Sequence, residues 1–218
     1  MWRIIAVLIV SSAALTSGLA QIGNRPVPEG LPMYEFFPHP DTPEGYFALT
    51  AFKGGPPVGL DYANYLIDQD GFLLWCKRLP DQFTFDLDYH PEHNRFTYVF
   101  SDLNEITYRV LNDQLEMIEE IEVEEPFLGD IHDFEILENG NYLIGNFRDT
   151  IMDLSVYTFN GVQGSASTTV FFLTLREFDP NLNVVWEWRS IDHVMIDEFY
   201  DFYAYNPDGM DFTHYNAL

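Results

Sequence analysis

Beyond its first twenty residues the chain alternates apolar and polar positions in short runs, and no stretch of useful length carries helical periodicity. The clearest run is Gly129–Gly145, GDIHDFEILENGNYLIG. An acidic, histidine-bearing segment (Asp130, His132, Asp133) leads into the apolar residues Phe134, Ile136 and Leu137. The turn Glu138-Asn139-Gly140-Asn141 follows, and then a second apolar run at Tyr142, Leu143 and Ile144. Asn-Gly between two such runs is the strongest short-range hairpin signal, because both residues tolerate a positive φ. Two antiparallel strands are therefore predicted. The His132 imidazole sits just ahead of the first, at a sheet rim where side chains from several strands converge.

The same pattern places strands elsewhere. Residues 21–44 are rich in Pro and Gly, show no period, and read as an extended arm that packs across other elements. Strands are predicted at Gly45–Thr50, Tyr62–Ile67, Phe72–Cys76, Phe83–Leu87, Phe96–Phe100, Glu105–Leu111, Leu115–Val123, Ala166–Phe178 and Val184–Trp188. Lys53–Pro57 reads as a loop, and Asp197–Tyr203 as a short helix on an insertion. Three hairpins recur as degenerate copies: LIDQDGFLLW (66–75), VLNDQLEMIEEI (110–121) and FDPNLNVVWEW (178–188). Their turns lie about 44 and 67 residues apart, the second interval holding the Asn139-Gly140 hairpin. Repeated hairpins at this spacing predict an all-β fold, a β-propeller with blades of four strands. Residues 45–218 amount to about four blades, propellers close with four to eight, and the chain stops at Leu218 as a new strand begins. A truncated, incomplete propeller is therefore expected.

Composition adjusts this picture. The 19 Phe and 13 Tyr suit strands, and 47% hydrophobic content is ample for a core. Ten basic against 35 acidic residues, a net charge of -25, excludes nucleic acid as a partner, since phosphate contacts need Lys/Arg patches. The acidity reads as solubility; bound Ca²⁺ would need a loop with regular ligand spacing, which is missing. Met1-Trp2-Arg3, the apolar run Ile4–Val10 and small residues up to Ala20 make residues 1–20 a secretory signal peptide, too short in its apolar part to span a bilayer. An exported protein, periplasmic or secreted, with no membrane contact after cleavage is predicted. Cys76 is the single cysteine and reads as a buried structural thiol.

The order of motifs resembles the arylsulfotransferase family of exported six-bladed propellers. The matching pieces are GYFALT (45–50), NYLIDQDGFLLW (64–75), DIHDFEILENGNYLIG (130–145), DTIMDLS (149–155), EFDPNLNVVWEWRSIDH (177–193) and DFTHYNAL (211–218). The resemblance implies transfer of a sulfuryl group from a phenolic sulfate ester to a phenol, without a nucleotide donor, through a sulfated histidine. Partners would be small aromatic sulfate esters and phenols, with no cofactor and no metal. Carried over by motif, His132 and His214 line the sulfuryl site, and Asn216 donates to a sulfuryl oxygen. One imidazole can protonate the leaving phenolate. The family's nucleophilic histidine and a sulfate-binding arginine follow the His-x-Asn block. The chain as given, ending at Leu218, is thus expected to lack turnover.

Other candidates have plainer readings. Asp130, Asp133 and Asp211 either orient the imidazoles or cap turns. His193 ties a blade to its insertion, and Trp186 and Trp188 pack a blade. His90 and His93, in HPEH, lack a clear third ligand for a metal. His39 lies in the arm and faces solvent. Two rivals to the enzyme are a non-catalytic secreted propeller that binds a ligand at its axial face, and a quinone-cofactor dehydrogenase. The second would need a metal and cofactor constellation that the sequence does not display.

Overall fold

The structure, a computed structural model, describes residues 27–32, 34–37, 44–55, 58–80, 82–102, 105–198, 205–206, 209–214 and 216–218. Residues 1–20, predicted as a signal peptide, together with His39, Pro56-Pro57 and residues 199–203 lie outside them. The chain divides into two compact units, Met1–Glu120 and Ile121–Leu218. Among the described residues both are built of β-strands, and the second also holds two 3-10 turns, at Ser190–Asp192 and Ile196–Glu198. The helix expected at Asp197–Tyr203 is, in its described part, the second of these turns.

The first unit opens with β1 (Tyr46–Gly55), β2 (Val58–Asp68) and β3 (Leu73–Pro80), an antiparallel three-stranded sheet. β1 takes in Lys53–Gly55 of the predicted loop, with Gly55 paired to Val58. A four-stranded meander follows: β4 (Phe83–His90), β5 (Arg95–Ser101), β6 (Ile106–Leu111) and β7 (Met117–Glu122). Large side chains of both sheets, Tyr62, Leu79, Leu87, Phe96, Tyr98, Phe100 and Leu111, form one buried cluster. The arm packs as expected. Val27 and Leu31 are buried against Ala63, Tyr65, Ile67 and Leu73. The Tyr65 hydroxyl donates to the Pro32 carbonyl at 2.7 Å, and Tyr34 to that of Gly71 at 3.1 Å. Cys76 is half-buried, and burial pushes its thiol pKa up.

The second unit holds β8 (Leu128–Ile136), β9 (Tyr142–Met152), β10 (Thr158–Phe159), β11 (Val162–Gln163), β12 (Thr168–Phe178), β13 (Val184–Arg189), β14 (Tyr205–Asn206) and β15 (Gly209–Asp211). Strands β8, β9, β12 and β13 pair antiparallel in that order. Near its start β12 also takes β15 in parallel, at Val170 and Phe171. The β10–β11 ribbon is inserted between β9 and β12. The described residues thus hold three sheets of three or more strands, where the repeat spacing predicts about four blades. The difference lies in β9 and β12, each 11 residues long, and in the inserted ribbon, which lengthen this sheet's share of the chain.

The degenerate copies share one turn. At Asp68, Asn112, Leu137 and Asp179 the backbone N–H donates to the carbonyl four residues on, at 3.0, 2.9, 2.8 and 2.9 Å. The residue three positions on donates back, at 3.0, 3.0, 2.8 and 2.8 Å. That residue has φ of +82° (Gly71), +63° (Leu115), +84° (Gly140) and +63° (Leu182). This is the three-residue hairpin loop ending in a left-handed residue. In the three copies Asp68, Asn112 and Asp179 secure it, one side-chain oxygen accepting the N–H groups two and four residues on. In the fourth, Asn139 accepts from Asn141 N–H at 2.9 Å.

Candidate functional site

His132 does not precede the first strand of its hairpin; it lies within β8. β8 pairs with β9 at Gly129↔Asn146 and resumes at Phe134↔Ile144. Asp130, Ile131, His132 and Asp133 therefore stand against Gly145 alone, and the strand bulges. Bulges re-aim side chains beside functional sites. One oxygen of the buried Asp130 carboxylate holds the bulge closed, accepting both the backbone N–H and ring Nδ1 of His132, each at 2.8 Å. Asp133, also buried, accepts the Leu218 N–H at 2.5 Å.

His214 follows β15, after the strand has ended at Asp211. Three contacts set its place. Phe212 N–H donates to the Phe171 carbonyl at 2.8 Å. Leu173 N–H donates to Thr213 Oγ1 at 3.1 Å, and the same oxygen lies 2.6 Å from the buried Ser190 hydroxyl. The His214 ring then stacks on Phe147 with centroids 6.0 Å apart, and its Nδ1 lies 3.1 Å from Asp211 Oδ2.

The two imidazoles meet. Their centroids are 4.9 Å apart and their planes cross at 82°, edge to face. A carboxylate can only accept, so each Asp fixes the proton of a neutral ring on Nδ1 and leaves the lone pair on Nε2. Nε2 is then a base or nucleophile, and the ring becomes a proton donor when charged. The His132–Asp130 pair is largely buried. The His214–Asp211 pair is about half exposed, with 48% and 47% of the side-chain surfaces open, and adds at most about 1 kcal/mol to stability.

No protein-family model matches the chain, and no curated protein matches it.

Asn216 lies in a bend and is exposed. The alternation along a strand that predicted a shared direction for His214 and Asn216 does not apply, because neither residue is in a strand. The other candidates fall into structural roles. His90 is buried at the end of β4, with Nε2 2.8 Å from Thr97 Oγ1. His93 donates its backbone N–H to the His90 carbonyl at 3.1 Å, within the turn. His193 lies flat on Trp188, with centroids 5.1 Å and planes 6° apart. Trp186 is 45% exposed, so it does not pack a blade as predicted. Phe147, Thr213 and Ser190 escaped the sequence reading. Each acts through a contact at least 23 residues away in the chain, for which local pattern gives no signal.

Proposed function

We propose that this is an arylsulfotransferase-like protein built on a propeller-like scaffold, and that its imidazole pair handles the sulfuryl group. The observation that carries the reading is the edge-to-face meeting of His132 and His214, each with a carboxylate at Nδ1. The four-stranded meander β4–β7 and the antiparallel run β8-β9-β12-β13 within the larger sheet use the same type of hairpin turn and are compatible with propeller blades. In this reading an aryl sulfate enters between the imidazoles. The S–O bond to the phenol breaks, and one charged imidazole returns a proton to the leaving phenolate oxygen. The sulfuryl group passes to a histidine nitrogen and then to the oxygen of an acceptor phenol, the ping-pong sequence of covalent catalysis. Asn216 supplies an amide donor to a sulfuryl oxygen. The protein is exported, and its partners are small aromatic sulfate esters and phenols.

The test is release of 4-nitrophenol from 4-nitrophenyl sulfate with phenol as acceptor, using the complete gene product. His132→Ala and His214→Ala should each lower release by about 10²-fold or more, the usual worth of a positioned acid or base. A folded protein that binds phenols without releasing nitrophenol would instead be a binding module.

A further inference from the structure

β9 presents two faces. Phe147 stacks on His214 on one; its neighbour Arg148 points to the other. There Arg148 stands directly opposite Phe172 of β12. Arg189 of β13 is the partner of Thr174, two residues along β12, so it shares that face. These side chains, with Thr150, Met152 and Ile191, line a cavity of about 340 Å³, a volume in the range of small-molecule sites. Asp149 and Asp192 also border it.

The two guanidinium groups differ in commitment. Arg189 is held by Asp192, with Nε and a terminal nitrogen each 2.7 Å from one carboxylate oxygen. Arg148 lies 5.6 Å from the Phe127 ring centroid and has no hydrogen bond or ion pair among the described residues. In a chain of ten basic and 35 acidic residues, a half-buried guanidinium without an acceptor is unusual. One row along the same face stand Asn146 and Thr174, cross-strand partners that are 1% and 0% exposed. The Asn146 amide and the Thr174 hydroxyl have no partner among the described residues. Buried polar atoms of this kind are uncommon and call for a partner. A guanidinium offers a planar fork of donors that fits a carboxylate or sulfonate. Phe172, Met152 and Ile191 offer apolar surface beside it.

We propose that this cavity binds a small organic monoanion, a carboxylate or sulfonate on an apolar body, with Arg148 holding the charged head. The site lies across the sheet from the imidazole pair and does not depend on sulfuryl transfer. The test is calorimetric titration with benzenesulfonate and benzoate, and with benzyl alcohol as the neutral analogue. Benzenesulfonate should bind with a Kd of about 1 mM or tighter, and benzyl alcohol about tenfold more weakly. Arg148→Gln should weaken benzenesulfonate about tenfold or more, and Ile191→Ala about threefold. Arg189→Gln, whose guanidinium already serves Asp192, should weaken it less than Arg148→Gln does. His132→Ala should leave binding unchanged. Absence of saturable binding up to about 10 mM, or wild-type affinity in a folded Arg148→Gln, overturns the proposal. So does loss of binding in His132→Ala alone, which would move the anion to the imidazoles.

Discussion

Leu115 and Leu182 occupy the left-handed position that Gly71 and Gly140 fill in the sister turns. A side chain there costs about 1–2 kcal/mol, while glycine loses about 0.5–1 kcal/mol through its freer unfolded chain. Leu182 is substantially exposed, so little packing opposes the exchange. Leu182→Gly should therefore stabilise the protein by about 0.5–1 kcal/mol, read as a higher urea midpoint at unchanged slope; a lower midpoint would refute it. The residue that opens the same turn supplies a pH dependence. Hydrogen bonds from the Asn183 side chain first, then from the backbone N–H groups of Asn183 and Asn181, hold the Asp179 carboxyl below the usual carboxylate range. A lowered folded value means the turn's stabilisation is present above the ordinary pKa, about 3.9, and is lost as pH falls through the lowered one. Asp179→Asn keeps an acceptor oxygen without titrating. Below about pH 4 its melting temperature should fall less steeply than that of the wild type.

The arm and the first sheet meet at Gly71. A Cβ there would lie 2.6 Å from Phe36 side-chain atoms, at a φ of +82° that already disfavours alanine. Gly71→Ala should cost about 2 kcal/mol or more and lift the arm, seen as faster proteolysis near residues 34–37. At the other end of the chain, Thr213 bridges Leu173 N–H and the Ser190 hydroxyl just before His214. Thr213→Val leaves both groups unpaired at a cost of about 1–3 kcal/mol, and should shift the His214 ring resonances as the ring leaves Phe147. Thr213→Ser should restore both readouts; a shift equal in the two variants would rule out a positioning role. These elements also show what sequence can carry. The Asp/Asn turns and apolar runs are local, so the hairpins at Asp68, Asn112, Asn139-Gly140 and Asp179 were legible, as was the packing of the arm. The β8 bulge, the Phe147 stack and the Thr213–Ser190 bridge depend on register and on contacts between distant strands, which a pattern of period two does not encode. The strand read through His214 and Asn216 failed for the same reason, since hydrogen bonds to β12 and to Ser190, not alternation, guide the chain after Asp211.

At the scale of the whole chain the dominant electrostatic fact is excess. With 35 acidic and ten basic residues, most carboxylates have no cationic partner to meet. Ion pairs such as Arg109–Glu120, Arg176–Glu187 and Arg189–Asp192 are local and leave that excess in place. Self-repulsion of this kind disfavours the compact state and is screened over about 10 Å at 0.1 M salt. The melting temperature should therefore rise by several degrees between about 10 mM and 500 mM NaCl, where a protein stabilised mainly by surface ion pairs would lose stability. Matched ionic strengths of NaCl and CaCl₂ separate screening from binding. Equal gains assign the effect to net charge, as the lack of a regular Ca²⁺ loop predicts. A gain specific to Ca²⁺, growing with its concentration, would show that some of the carboxylates are ligands and that the acidity serves more than solubility.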